Sequence, residues 1–363
     1  MRTGCDSTRA RMLAPDFAAM AALDAVLARL GMEKTGIQPM AGGASTRKYV
    51  RISLRDGRSV VGMFFPQGVK TDEIQKALNH PRWPFLEVAD LLRAHGVRVP
   101  EILGDATDAG WLLIEDLGDD TLANYLLRHP EKRDALYIKA VHDLAAAQKN
   151  LSGLSEDTIV RSRAFDYDLL KGEIDHFREW GLEARGYHLS DADRAAFDRI
   201  ADRMARRIAG FSRGFTHRDY QSRNLMVHAN GGTAPELVWI DFQDALLGPR
   251  VYDLVTLLND SYQDFDRTFI EARLDDYARA CGLTAEERSE LDRQFDLVTV
   301  QRKLKNAGRF VFIDRVNSNP AFLKFLPSTF ARARASLARL TPHDDDMRQL
   351  DAILARVVPD VSR

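Results

Sequence analysis

Cysteine is almost missing from this chain: Cys5 and Cys281 are the only two in 363 residues, far apart and without C-x-x-C spacing. That scarcity excludes a disulfide framework and a thiolate zinc site, and it fits a reducing compartment. Net charge is small as well, 51 Lys plus Arg against 53 Asp plus Glu for a total of −2. There is no bulk basic field of the kind that holds nucleic acid. No stretch approaches the roughly 20 apolar residues of a membrane span, and Met1 to Pro15 is rich in Arg without the apolar run of a signal peptide. Low-complexity tracts and internal repeats are lacking too. These absences predict a soluble, cytoplasmic protein with no nucleic-acid or membrane partner, and a flexible tail over residues 1–15.

What is present is an ordinary globular composition, 45% hydrophobic and 29% charged, able to bury a sizeable core as one large or two closely joined domains. Phe17 to Leu30 has helical spacing and stops at Gly31. Thr35 to Phe65 turns to short β-like runs, with Gly42 to Thr46 between the first and second and Asp56-Gly57 between the second and third, the pattern of an antiparallel meander. Thr71-Asp72-Glu73 can cap a short helix, Phe85 to His95 reads as an amphipathic one, and Val97 to Leu103 and Trp111 to Ile114 read as strands. Leu122 to Leu127, Asp134 to Lys149, Phe165 to Trp180 and Ala192 to Ile208 then read as helices, and helical patterns resume at Tyr252. One β-rich island, Phe215 to Phe242, interrupts them. The order predicts an α+β protein, β-rich over residues 16–117 and α-rich over 118–363.

The island carries the chemistry. It contains Thr216-His217-Arg218-Asp219-Tyr220-Gln221-Ser222-Arg223-Asn224-Leu225 and, after a Gly-containing hairpin, Val238-Trp239-Ile240-Asp241-Phe242. Taken singly, His217 to Asp219 also fits an ordinary turn and Asp241 the end of a strand. Jointly, His-Arg-Asp, Asn after four intervening residues and Asp-Phe closing an apolar strand match the catalytic and metal loops of kinases. The spacing suits phosphoryl transfer: Asp219 accepts the substrate hydroxyl proton, while the amide oxygen of Asn224 and the carboxylate of Asp241 hold magnesium against the phosphates of ATP.

His-Arg-Asp-Tyr-x-x-Arg-Asn-Leu and Ile-Asp-Phe-Gln-Asp-Ala-x-x-Gly-Pro-x-x-Tyr-Asp-Leu resemble the aminoglycoside phosphotransferase and choline kinase-like family more than protein kinases. Gln243 stands where protein kinases have Gly, and no Ala-Pro-Glu follows. The resemblance implies a protein-kinase-like two-lobe fold, with a small antiparallel-sheet N-lobe binding nucleotide phosphates and a mainly helical C-lobe carrying the catalytic loop and acceptor site. It also implies that Asp253 braces the catalytic loop, although a helix-starting Asp satisfied by the dipole is the alternative. Gly42 to Arg51, Pro84-Phe85-Leu86, Gly96 to Pro100, Ile114 to Gly118 and Gln301-Arg302-Lys303-Leu304-Lys305 are similar to the bacterial anomeric sugar kinases. Those phosphorylate N-acetylmuramate and N-acetylglucosamine in peptidoglycan recycling. The chain departs from them at Lys303, where a His is usual, and at Asp314 to Asn319, where an Arg-Asp-Gly-Lys turn is usual.

For the nucleotide, Gly42, Gly43, Ala44, Ser45 and Thr46 form a turn whose backbone can approach phosphates closely. The third strand, Ser59 to Phe65, lacks the usual lysine. Arg47 is the expected replacement, on one strand face with Tyr49 and Arg51, oriented by Glu87 or Glu73; a solvated edge-strand charge is the alternative. The resemblance assigns the backbone of Glu115 and Leu117 to the adenine edge. Arg223, Gln243 and Asp244 are placed to reach the acceptor, and Gln301, Lys305 and Arg309 recur every fourth residue on one helix face, which could equally face water. The expected activity is an ATP- and magnesium-dependent kinase acting on the anomeric hydroxyl of a small-molecule sugar. Two alternatives stand beside it: another acceptor on the same fold (another hexose, an aminoglycoside, choline or an amino alcohol), and a catalytically weak nucleotide-binding regulatory module.

Overall fold

A computed structural model describes residues 17–40, 47–65, 82–228 and 235–358. The expected phosphate turn at Gly42 to Thr46, the cap at Thr71 to Glu73 and the tail over 1–15 lie outside the described residues. By internal contacts the chain divides into two units, residues 1–81 with 99–118, and residues 82–98 with 119–363.

The first unit is a helix on an antiparallel sheet. Strands β1 (Lys34–Pro39), β2 (Lys48–Leu54), β3 (Ser59–Phe64), β4 (Ile102–Ala106) and β5 (Trp111–Glu115) lie in the order β1-β2-β3-β5-β4. Alternation in β2 sends Val50, Ile52 and Leu54 inward, where they meet Leu23, Val26 and Leu27 of helix α1 (Phe17–Arg29) around Trp111. Trp111 is fully buried, and its indole N–H donates to the Ala19 carbonyl at 2.6 Å, so the ring contributes its apolar area without an unpaired donor. The Asp56-Gly57 hairpin falls where the sequence places it, Gly57 taking φ +85°. β4 starts at Ile102 rather than Val97, because Pro100 has no N–H to give a sheet ladder.

The second unit is mainly helical. Helices α2 (Pro84–Ala94), α3 (Leu122–Arg128), α4 (Arg133–Asn150), α5 (Tyr167–His176) and α6 (Asp191–Ala209) precede four short strands, β6 (Arg213–Thr216), β7 (Leu225–His228), β8 (Glu236–Trp239) and β9 (Leu246–Pro249). Helices α7 (Tyr252–Leu258), α8 (Arg267–Cys281), α9 (Ala285–Asn317), α10 (Leu326–Leu340) and α11 (Asp345–Val357) complete it. A small antiparallel-sheet unit and a mainly helical one make this the protein-kinase-like fold. The 33-residue α9 opens on a capping box between Thr284 and Glu287 and closes at Ser318 in a left-handed conformation. Every residue from Phe295 to Leu304 is buried, so this stretch of α9 has protein on all sides.

The helix expected over Phe165 to Trp180 is α-helical only from Tyr167 to His176 and widens into a π turn at Phe177–Leu182. That is where α9 comes closest, through Gly308: a Cβ there would lie 2.8 Å from the Phe177 Cα and 3.0 Å from the His176 carbonyl oxygen. Both are backbone atoms and cannot swing aside. Ala normally stabilises a helix relative to Gly, yet Gly308→Ala should destabilise this protein by about 1–2 kcal/mol through overpacking. An unchanged or raised melting temperature would show that the two helices can separate freely.

Candidate active site

The two motif loops are presented by two small antiparallel ribbons, β6 with β9 and β7 with β8. Residues 217–224 run from β6 to β7, and residues 240–245 from β8 to β9. The loops are tied together: the Ile240 amide donates to the Asn224 carbonyl at 3.0 Å, and the His217 Nε2 lies 3.1 Å from the Ile240 carbonyl. A carbonyl only accepts, so Nε2 carries the proton. Burial holds the pKa of this imidazole down, against the pull of Asp219 and Asp241, which favours the neutral ring.

Helix α7 and the residues after it hold the first loop. The Asp253 carboxylate accepts from the His217 amide at 2.6 Å and the Arg218 amide at 3.0 Å. Thr256 donates its hydroxyl to the Tyr220 carbonyl at 2.8 Å, and Asp260 accepts from the Ser222 amide at 2.9 Å and from its hydroxyl. Complete burial pushes the pKa of Asp253 up to about 7, opposed by the two amides and by Arg302. Asp253 is therefore bonded to the loop and not merely to its own helix end. Three non-glycine residues among those described have left-handed backbones, and two are here, Arg218 at φ +77° and Asp241 at φ +64°. Such conformations cost on the order of 1–3 kcal/mol each and persist only where surrounding bonds impose them.

Asp219, Asn224, Asp241 and Gln243 are brought together. The Asn224 Nδ2 donates to the Asp219 carbonyl at 2.8 Å and lies 3.5 Å from Oδ2 of Asp241, and the Gln243 Nε2 donates to Oδ1 of Asp241 at 2.9 Å. Asp219 keeps 46% of its side-chain surface open. Burial of its surroundings pushes its carboxyl up, but Arg302, Lys305 and Arg218 outweigh that and hold its pKa at about 2.

The donor set fits magnesium, a hard cation that takes oxygen ligands and usually shares one or two protein carboxylates with substrate phosphates. The Asn224 amide nitrogen donates to the Asp219 carbonyl and faces the Asp241 carboxylate, so the atom of this side chain that could serve a metal is its amide oxygen. Gln243 adds a nearby amide oxygen that is buried without a hydrogen-bond partner among the described residues. No group of three or more His, Cys, Asp or Glu side chains able to hold a metal by itself occurs among the described residues.

The other residues singled out by sequence are placed as follows. Arg223 is exposed, with its guanidinium 3.4 Å from the centre of the Tyr262 ring. Asp244 faces Arg218 at 4.0 Å. Lys305 pairs with Glu173 at 3.4 Å, and Gln301, fully buried, donates to the same carboxylate at 2.8 Å. Gln301 and Lys305 thus make an internal polar contact with α5, whereas Arg309, on the same face, is exposed, with its guanidinium 5.1 Å from the centre of the Phe312 ring. Arg47, Glu115 and Leu117 belong to the first unit. Arg47 is 4% exposed, with its guanidinium 5.7 Å over the Phe65 ring. The Glu115 amide is already engaged by the Glu101 carbonyl at 2.9 Å, and Leu117 is buried. One oxygen of Glu87 accepts from the Ile159 amide at 2.7 Å.

Sequence reasoning missed Asp260, Glu173 and the contact between Arg302 and Asp219, 3.2 Å from guanidinium to Oδ1. Asp260 and Glu173 carry no sequence mark of their own. Arg302 carries one, a charge standing in helical register with apolar Phe295 and Val298.

Fold and loops together define a phosphotransferase of the kinase class. The chain belongs to the phosphotransferase enzyme family, whose model matches residues 36–291. It is 33% identical over 307 residues to the N-acetylmuramate/N-acetylglucosamine kinase of Pseudomonas aeruginosa, covering 83% of each chain. To the N-acetylmuramate/N-acetylglucosamine kinase of Neisseria meningitidis serogroup B it is 30% identical, covering 88% of this chain and 90% of the other. Among solved structures, the GDP complex of aminoglycoside 2'-phosphotransferase-IIIa superposes with a TM-score of 0.58 at 15% identity, over 88% of this chain and 99% of that one. At that identity the likeness is one of fold. Among the described residues no helix is long and apolar enough to cross a membrane.

Proposed function

We propose that this protein is an ATP- and magnesium-dependent kinase that phosphorylates the anomeric hydroxyl of N-acetylated amino sugars, N-acetylglucosamine and N-acetylmuramate, in cytoplasmic peptidoglycan recycling. The observation that carries phosphoryl transfer is the convergence of Asp219, Asn224 and Asp241 on two cross-linked loops. The sugar reading is supported by the two relatives that bear it in their names.

In this reading Asp219 receives and orients the acceptor hydroxyl. A carboxylate with a pKa of about 2 is a weak base, so it takes the proton late, once the new P–O bond has acidified the hydroxyl. Asn224 Oδ1 and Asp241 would hold magnesium, which supplies charge neutralisation at the transferring phosphates. Gln243 fixes the Asp241 carboxylate and, with Arg223 and Asp244, meets the acceptor, and Gly42 to Thr46, Arg47, Glu115 and Leu117 bind the nucleotide.

Turnover with ATP, magnesium and a panel of amino sugars, plain hexoses, choline and aminoglycosides tests this. N-acetylglucosamine should be phosphorylated and the cationic acceptors should not; the reverse result would move the enzyme to another acceptor class. Lys305 refines the test, because N-acetylmuramate adds a lactyl carboxylate that is costly to bury unpaired. Lys305 already pairs with Glu173 but keeps 22% of its side chain open. Lys305→Met should therefore lower kcat/KM for muramate about tenfold more than for glucosamine. Equal losses would place Lys305 on a feature both sugars share, and no change in either would take its helix away from the sugar.

A further inference from the structure

Arg302 occupies a costly position. It is 6% exposed, in the fully buried stretch of α9, and desolvating a guanidinium there costs several kcal/mol unless its donors are met. Both terminal nitrogens are met, by two different elements. One terminal nitrogen donates to Oδ1 of Asp219 at 3.2 Å, and the other to the Tyr252 hydroxyl at 2.8 Å, with the guanidinium 5.1 Å from the Tyr252 ring centre. Two acceptors and one aromatic face fix the plane of a rigid fork. Tyr252 adjoins Asp253, which holds the His217 and Arg218 amides, so the backbone and the side chain at Asp219 are both referred to the start of α7.

We propose that Arg302 is a positioning residue for phosphoryl transfer: by taking Oδ1 of Asp219 it fixes the carboxylate rotamer and assigns Oδ2 to the acceptor hydroxyl. This rests on the reading of Asp219 as the group that accepts that hydroxyl's proton. Direction, not charge, is the contribution. Lys305 and Arg218 also put positive charge near Asp219, but a hydrogen bond to its carboxylate comes from Arg302. The proton path is unchanged, from the sugar hydroxyl to Oδ2, with Arg302 protonated throughout.

Steady-state kinetics with ATP and N-acetylglucosamine on the full chain test the idea. Arg302→Met should lower kcat about 100-fold, the scale of an ångström-sized misplacement, while the KM for ATP stays within about twofold. Arg302→Lys keeps the charge but not the fork, and should lose about tenfold in kcat. In an Asp219→Asn background, adding Arg302→Met should change kcat by less than about threefold, because residues acting as a unit are not additive. Losses that multiply in the double variant, or a Lys variant with wild-type kcat, overturn the proposal. If the Met variant does not fold, the Lys variant and its double with Asp219→Asn carry the same test. Near wild-type turnover by Asp219→Asn alone would instead overturn the role of Asp219.

Discussion

Asp219→Asn should lower turnover by at least about 100-fold, the usual scale of general-base loss, and leave nucleotide affinity close to wild type. The replacement keeps the shape of the side chain, so the bond from Asn224 to the residue 219 carbonyl and the amide bonds to Asp253 should survive. What is lost is an anion that can accept a proton, and an amide would have to turn its oxygen to Arg302 to avoid setting N–H against N–H. The loss should therefore fall on kcat, in an enzyme that folds and binds ATP. A variant with near wild-type kcat would show that this carboxylate is not the proton acceptor.

Asp241→Ala should weaken both turnover and magnesium-dependent nucleotide binding, because it removes the charged one of the two proposed ligands. Magnesium should tighten nucleotide binding to the wild type and do so far less in the variant. Asp241 sits at φ +64°, a strained backbone for a residue with a Cβ. Ala tolerates that conformation less well than Asp, so a fold check by melting temperature is needed to separate a misplaced loop from a missing ligand. Equal nucleotide affinity with and without magnesium, in both proteins, would refute the metal role. The pair of variants also separates the two halves of the site: Asp219→Asn should spare the magnesium effect that Asp241→Ala removes.

The sequence by itself determined the fold class and the two motif loops, because both are written in local chemistry. The helix at Phe17 stops where Gly31 permits a positive φ, the Asp56-Gly57 hairpin closes β2 on β3, and the spacing from His217 to Asn224 and on to Asp241 is the pattern of kinase catalytic and metal loops. Where local signals were misleading, a specific backbone constraint explains it: Pro100 delays β4 to Ile102, and α5 widens into a π turn beside Gly308. Only the tertiary structure decided what surrounds the loops. Asp260 lies 38 residues from Ser222, Glu173 lies 128 from Gln301, and Arg302 lies 83 from Asp219. No periodicity or turn preference links residues at such separations. A buried charge is tolerated only where a distant partner arrives to meet it, and which partner arrives is settled by how the helices pack, not by the residues on either side of it.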